Sequence, residues 1–203
     1  MAEPERIIQH RMKKIIFATG NMNKLNEVRQ ILHEQNQILS LEELDFHEEL
    51  AEDGDTFEDN ARQKALFITE KFGLPCFAED AGLEVDALNG APGVYSARYA
   101  GTQRSHADNI NLLLKNLEGH TNRNARFKTI IALTFDKQIY YFEGTVNGRI
   151  AYQPSGNAGF GYDPIFIPDG YDQSFGELPA EVKNQISHRA IAVEKLLRFL
   201  QGK

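Results

Sequence analysis

Hydrophobic positions change period along this chain, and the changes mark its elements. Ile15-Ile16-Phe17-Ala18-Thr19 is short and almost continuously apolar, which predicts a buried strand. Gly20-Asn21-Met22-Asn23 interrupts it. Leu25, Val28, Ile31 and Leu32 then recur at helical spacing and predict a helix over about residues 23–33. Phe57, Ala61, Ala65, Ile68 and Phe72 form a second helical stripe, with Thr56 placed to cap its start and Gly73 to end it. Pro75-Cys76-Phe77-Ala78 predicts a short buried strand, and helical period returns over 106–117. Residues 125–135 and 138–146 are β-rich runs about Asp136-Lys137, which predicts a hairpin. Ser187 can cap a last helix carrying Ala190, Ile191, Leu196, Leu197 and Leu200. Alternating strands and helices with an added hairpin predict an α/β fold, a mixed central sheet flanked by helices.

Composition narrows the class. A chain of 203 residues is one domain by default and can bury a real core. Residues 1–13 are polar and basic and read as a flexible extension, with Met12 an alternative start; residues 14–203 form the domain. The net charge of −7 argues against a nucleic-acid partner or an anionic membrane surface, both of which need a basic face. A small anionic substrate remains allowed, because local charge and a divalent cation overrule the global sign. One cysteine, Cys76, excludes an intramolecular disulfide and a Cys-based zinc cluster, and its apolar surroundings make it buried and inert. No apolar run approaches the roughly 20 residues of a membrane span, and the N-terminus lacks a signal-peptide core. A cytoplasmic protein is expected.

Three stretches carry candidate chemistry. In the first, the predicted strand delivers Glu79 and Asp80 into an Ala81-Gly82 turn. Paired acids there suit a hard oxygen-ligated cation or a general base, and equally an ordinary acidic surface turn. Glu84 and Asp86, spaced by two, share one face. In the second, strand, glycine turn and helix at residues 19–24 aim a helix N-terminus at an anion, and Lys24 stands where the helix dipole disfavours a cation. The pattern is neither GxxxxGK[ST] nor GxGxxG. The third, Ser155-Gly156-Asn157-Ala158-Gly159-Phe160-Gly161-Tyr162-Asp163-Pro164, presents Phe160 between glycines as a stacking platform or as a hydrophobic plug. His188 and Arg189 repeat the misplaced-cation pattern in the last helix. The ten acidic residues between 42 and 59 are mostly a solvated face, with Glu52 the exception because it precedes a Gly54 turn. Lys64 reads by itself as a solvated lysine.

Taken together, Thr19-Gly20-Asn21-x-x-Lys24, Glu79-Asp80-x-Gly82-Leu83, Gly90-Ala91-Pro92-Gly93-x-Tyr95-Ser96-Ala97-Arg98, Gly159-Phe160-Gly161-Tyr162-Asp163-Pro164 and Ser187-His188-Arg189 resemble the inosine/xanthosine triphosphate pyrophosphatases, or XTP/dITP diphosphatases. The match runs from about residue 14 to the C-terminus. It implies two lobes with the site in the cleft between them, usually a homodimer. It also implies Mg²⁺-dependent hydrolysis, with Mn²⁺ a possible substitute, of ITP, dITP and XTP to the monophosphate and pyrophosphate, which keeps these purines out of DNA and RNA precursor pools. By position, Thr19, Gly20, Asn21, Met22, Asn23 and Lys24 would hold the triphosphate, with Lys64 assisting. Glu52 and Asp80 would serve the metal, with Glu79 a possible third ligand, and Asp80 would accept the proton of the attacking water. Phe160, Gly161, Tyr162, Asp163, Lys183, His188 and Arg189 would bind the nucleotide, Phe160 on the purine face and His188 and Arg189 as donors to the 6-oxo edge. Where many members carry serine this chain has Ala81, for which a backbone contact to substrate is expected. Two rivals are a pyrophosphatase for pyrimidine or modified nucleotides, against which Phe160, His188 and Arg189 speak, and a nucleotide-binding regulator without turnover. The regulator would need no water-activating carboxylate.

Overall fold

The structure is a computed structural model that describes residues 14–32 and 37–202. The expected extension at 1–13 and His33, at the expected end of the first helix, lie outside the described residues. One mixed sheet has the strand order β2-β1-β3-β4-β5-β6. Its strands are β1 (Lys14–Phe17), β2 (Gln37–Leu39), β3 (Cys76–Val85), β4 (Asn124–Phe135), β5 (Gln138–Ile150) and β6 (Phe166–Pro168). Its helices are α1 (Met22–Leu32), α2 (Phe57–Phe72), α3 (His106–Asn116), α4 (Ala180–Ile186) and α5 (His188–Gln201). β1 runs parallel to β2 and β3, and the pairs β3–β4, β4–β5 and β5–β6 are antiparallel. No helix among the described residues is long and apolar enough to cross a membrane.

Local chemistry accounts for most element ends. Thr56 accepts the Asp59 amide, Ser105 that of Asp108 and Ser187 that of Ala190, so the starts of α2, α3 and α5 are capped by a side-chain oxygen. Gly73 closes α2 in the left-handed region. Asp136 and Lys137 both have positive φ, the geometry of a two-residue hairpin turn that matches strand twist.

Strand alternation sorts the core. Ile15, Phe17, Phe77, Ile131 and Leu133 face α1 and α5, while Ile16, Ala18, Cys76, Ala78, Ile130 and Ala132 face α2. Farther along β3 to β5, Leu83, Val85, Phe127 and Ile150 join Leu113 of α3 with Tyr162, Phe166 and Phe175 in a third cluster. The sheet is therefore covered by different elements in its two halves, and a cleft opens between them. One β3 expectation changes. The strand does not end before Glu79 but runs unbroken to Val85, because β4 pairs with it over its whole length. Gly82 is consequently a strand residue. A Cβ there would lie 2.3 Å from the Gly93 carbonyl oxygen, so glycine serves close approach rather than a turn.

Candidate active site

Topology places the site before any side chain is considered. With order 2-1-3, the chain leaves β1 in one direction and returns to β3 in the other, and such switch points open a crevice outside the carboxyl ends of the strands. β1 stops at Phe17, opposite Phe77, while β3 continues to Val85. A cavity of about 700 Å³ lies beyond that end. It brings together Thr19, Gly20, Asn21, Met22 and Lys24 with Glu52, Lys64, Asp80 and Ala81. Phe160, Gly161, Tyr162, Asp163, Lys183, His188 and Arg189 also line it.

Asn23 and Glu79 do not. The Asn23 amide is taken by the Asn21 side chain, which also accepts from the Lys24 amide, and Asn23 itself is exposed. Asn21 thus caps α1, and these two N–H groups are not free for an anion as the sequence suggested. Glu79 is a consequence of strand geometry: adjacent residues point to opposite faces, so the two acids do not act as a pair. Asp80 turns toward α2, where Asn60 Nδ2 donates to its Oδ2 at 2.8 Å. Glu79 turns toward α1 and α5 and is 2% exposed. Arg189 binds its carboxylate through Nε and Nη2 at 2.8–3.0 Å, and Lys24 stands 3.2 Å from it. Burial alone would raise the Glu79 carboxyl, but the Arg189 and Lys24 charges outweigh it and hold it well below the usual range. That carboxylate is taken up by two cations and does not line the cavity, which speaks against the metal role expected for it.

At the acidic end, Lys64 Nζ donates to Glu52 Oε1 at 2.5 Å and to the Glu79 carbonyl at 2.8 Å. Lys64 is 5% exposed and not the solvated lysine of the bare sequence. Asn60 and Lys64, one helical turn apart on α2, share one face. Asn60 also accepts the Gly54 amide at 2.8 Å, which pins the loop carrying Glu52. Burial pushes the Asp80 carboxyl up, Glu52 adds to this, and Lys64, Lys24 and the Asn60 hydrogen bond offset only part. Burial also pushes Glu52 up, but Lys64, Lys24 and Arg104 hold it low. Among the described residues no group of three or more His, Cys, Asp or Glu could hold a metal alone. Two carboxylates on a cavity rich in cations fit Mg²⁺ delivered on a phosphate, since that ion takes one or two carboxylates plus substrate oxygens and water. The Ala81 amide donates to Asp80 Oδ1 at 2.9 Å. It orients the carboxylate, while Ala81 itself lines the cavity.

At the other end Asp163 Oδ2 accepts the Phe160 amide at 2.7 Å and Lys183 Nζ at 2.6 Å. Burial raises the Asp163 carboxyl despite Lys183. Phe160 is half-buried, with Lys183 Nζ 4.9 Å and the Arg189 guanidinium 5.6 Å from its ring centre. Tyr162 is buried, and its hydroxyl donates to the Ser96 carbonyl at 2.9 Å, so its ring is a wall fixed by the core. His188 stacks on Phe127 at 4.9 Å, and burial, then the Arg189 charge, lower its pKa well below 6.5. Its Nδ1 is buried without a partner among the described residues. An acceptor tolerates such isolation better than an N–H, which favours the neutral tautomer with its proton on Nε2.

Arg189 is 1% exposed and held by Glu79 and by Glu27 Oε2. Its position at the wrong end of the α5 dipole is explained by these protein carboxylates rather than by a ligand. Glu27, which sequence reasoning missed, also accepts Lys183 Nζ at 2.7 Å. The signal was available: Glu27 lies one helical turn beyond Lys24. Arg104, His106 and Glu49 also line the cavity and belong to stretches without motif character. Glu84 and Asp86 do share a side, but that side is solvent, where both meet Arg126.

Comparison with known proteins fits this geometry. The model of the Ham1 family matches residues 15–199. A dITP/XTP pyrophosphatase of Flavobacterium johnsoniae is 51% identical over 187 residues, covering 92% of this chain and 97% of the relative. One from Porphyromonas gingivalis is 50% identical over 190 residues, covering 93% and 98%. Among solved structures, a HAM1 protein from Coxiella burnetii superposes with a TM-score of 0.87 at 37% identity, covering 95% of this chain and 100% of its own.

Proposed function

The chain belongs to the Ham1 family, and from that membership we propose that it is a nucleoside triphosphate pyrophosphatase that hydrolyses dITP, XTP and ITP to the monophosphate and pyrophosphate. The observation that carries this reading is the division of one cavity into two ends. At one, Lys64 pairs with Glu52 and Asn60 ties Asp80 to the Glu52 loop; at the other, Lys183 lies over the Phe160 ring and both bind Asp163. A purine nucleotide has the same division.

Asp80 is the proton acceptor for a water attacking the α-phosphorus. Each of its oxygens receives one protein hydrogen bond and keeps a lone pair for water. Its upward-shifted carboxyl is a better base than a free aspartate, and a positioned base of this kind contributes about 10²–10⁴-fold. Lys24 and Lys64 neutralise charge on the departing pyrophosphate, an electrostatic contribution preorganised by their ion pairs. Bound Mg²⁺, or Mn²⁺ in its place, would be held by Glu52 and Asp80 and would supply charge neutralisation at the phosphates. At the base end His188 Nε2–H and the Lys183 ammonium are donors, which suits a 6-oxo acceptor and disfavours the 6-amino donor of adenine. The reading extends to a cytoplasmic homodimer that clears deaminated purines from nucleotide pools.

The test is a turnover panel of ITP, dITP, XTP, GTP and ATP with magnesium, manganese or chelator, identifying both products. IMP with pyrophosphate from ITP is expected; IDP with orthophosphate as primary products would overturn the assignment.

A further inference from the structure

Five cations line the cavity among the described residues, and each is ion-paired. Lys183 and Arg189 are buried and each bridges two carboxylates. Lys24 and Lys64 meet Glu79 and Glu52. Arg104 is different. Among the described residues its side chain pairs with Glu49 alone, Nη2 to Oε1 at 2.7 Å, with 53% of the Arg104 side chain and 75% of the Glu49 side chain exposed. The pair joins the loop after Tyr99 to the acidic loop before Glu52, across the mouth of the cavity. Arg104 also stands at the metal and phosphate end, since its partner Glu49 lies three residues before Glu52 and all three line the cavity. Its backbone is left-handed, φ 52°, a region that favours glycine or asparagine, and no buried contact of the side chain explains an arginine there.

We propose that Arg104 is a further binding residue of the site, which exchanges Glu49 for the distal phosphates of the substrate and stays on the pyrophosphate as it leaves. This rests on the pyrophosphatase reading. Separating either buried cation from its carboxylates would strand charge in the interior, whereas an exposed ion pair contributes little and is readily broken. A phosphate offers more charge than Glu49 and accepts the same planar fork of N–H groups. Glu49 therefore holds the guanidinium in the mouth of the empty site, and a triphosphate displaces it.

Calorimetry with inorganic pyrophosphate and, separately, with IMP tests this, both in the presence of magnesium. Arg104→Asn, chosen because asparagine tolerates positive φ, should weaken pyrophosphate binding by about tenfold and leave IMP binding unchanged, the factor of one charge-assisted hydrogen bond. Arg104→Lys should recover part of the loss, and Glu49→Gln should tighten pyrophosphate binding. The proposal is overturned if wild type binds no pyrophosphate, if Arg104→Asn changes it by less than about twofold, or if IMP weakens equally. Should Arg104→Asn fail to fold, unchanged pyrophosphate affinity in Glu49→Gln overturns it alone. If instead wild type releases no pyrophosphate from ITP, the activity assignment falls, while these binding constants still judge Arg104.

Discussion

Arg189→Ala removes the cation on which the buried carboxylates of the site depend. Three of the guanidinium contacts go to Glu79 and another to Glu27, and the Glu79 side chain is 1% exposed. After truncation the only cation Glu79 keeps among the described residues is Lys24, 3.2 Å away, with the Thr129 hydroxyl donating at 3.5 Å. Breaking a buried ion pair from one side costs about 3–5 kcal/mol, because it leaves the other charge in the interior. At about 2–4 °C per kcal/mol for a domain of this size, Tm should fall by on the order of 10 °C. Urea unfolding supplies the free energy directly, with an unchanged slope expected. The pH dependence gives an independent check. The wild-type Glu79 carboxyl is held below its ordinary 4.5, so its contribution is complete above that pH and is lost as pH falls toward the lower folded value. Without Arg189, burial dominates and the carboxyl rises, so acidification from pH 6 toward 4 should relieve the variant while it begins to weaken wild type. The double variant Glu79→Gln/Arg189→Met should recover much of the loss. A destabilisation under about 1 kcal/mol, or parallel pH profiles, would refute the reasoning. Turnover of ITP and ATP should fall together in Arg189→Ala, since the side chain orders the site rather than choosing the base.

Asp80→Asn should lower kcat by at least about 100-fold while the fold persists, and near-normal kcat at saturating magnesium would remove Asp80 as the base. His188 is buried and neutral with its pKa below 6.5, so wild-type stability should begin to fall as pH drops below 6.5, before Glu79 is reached. His188→Gln should flatten that limb, and an unchanged slope in chemical denaturation at pH 5 to 7 would count against a neutral buried ring. Ala81→Ser adds one hydroxyl beside Asp80 and should lower KM by no more than about 1 kcal/mol, checked with ITP; a collapse of kcat would mean that the hydroxyl disturbs the carboxylate held by the Ala81 amide.

What was legible in the sequence follows from the range over which each signal acts. Caps, the helical stripes of α1, α2, α3 and α5, and the Asp136-Lys137 turn are set within a few residues, and all appear in the structure. The motif blocks converge on one cavity because the switch between β1 and β3 collects the chain segments that carry them. What stayed hidden depends on partners far away along the chain. Whether Glu79 and Asp80 work together cannot be told from their adjacency until residues 79–82 are known to be strand rather than turn. That in turn depends on pairing with Ile130 and Ile131 of β4. Once they are strand, alternation sends one acid to α5 and the other to α2 and gives them different tasks.

The same geometry changes the meaning of the misplaced cations. Lys24 and Arg189 stand at helix starts where the dipole disfavours them, and both find Glu79, the acid that the strand turned their way. A single buried carboxylate thus compensates two helix termini and ties α1 and α5 to the central strand. Of the two, Lys24 has the shallower site: 16% of its side chain is exposed, against 2% for Arg189. Lys24 can turn to a phosphate while Arg189 continues to neutralise Glu79. The misplaced-cation signal therefore pointed to an anion in both cases, and in both cases the structure supplies the Glu79 carboxylate.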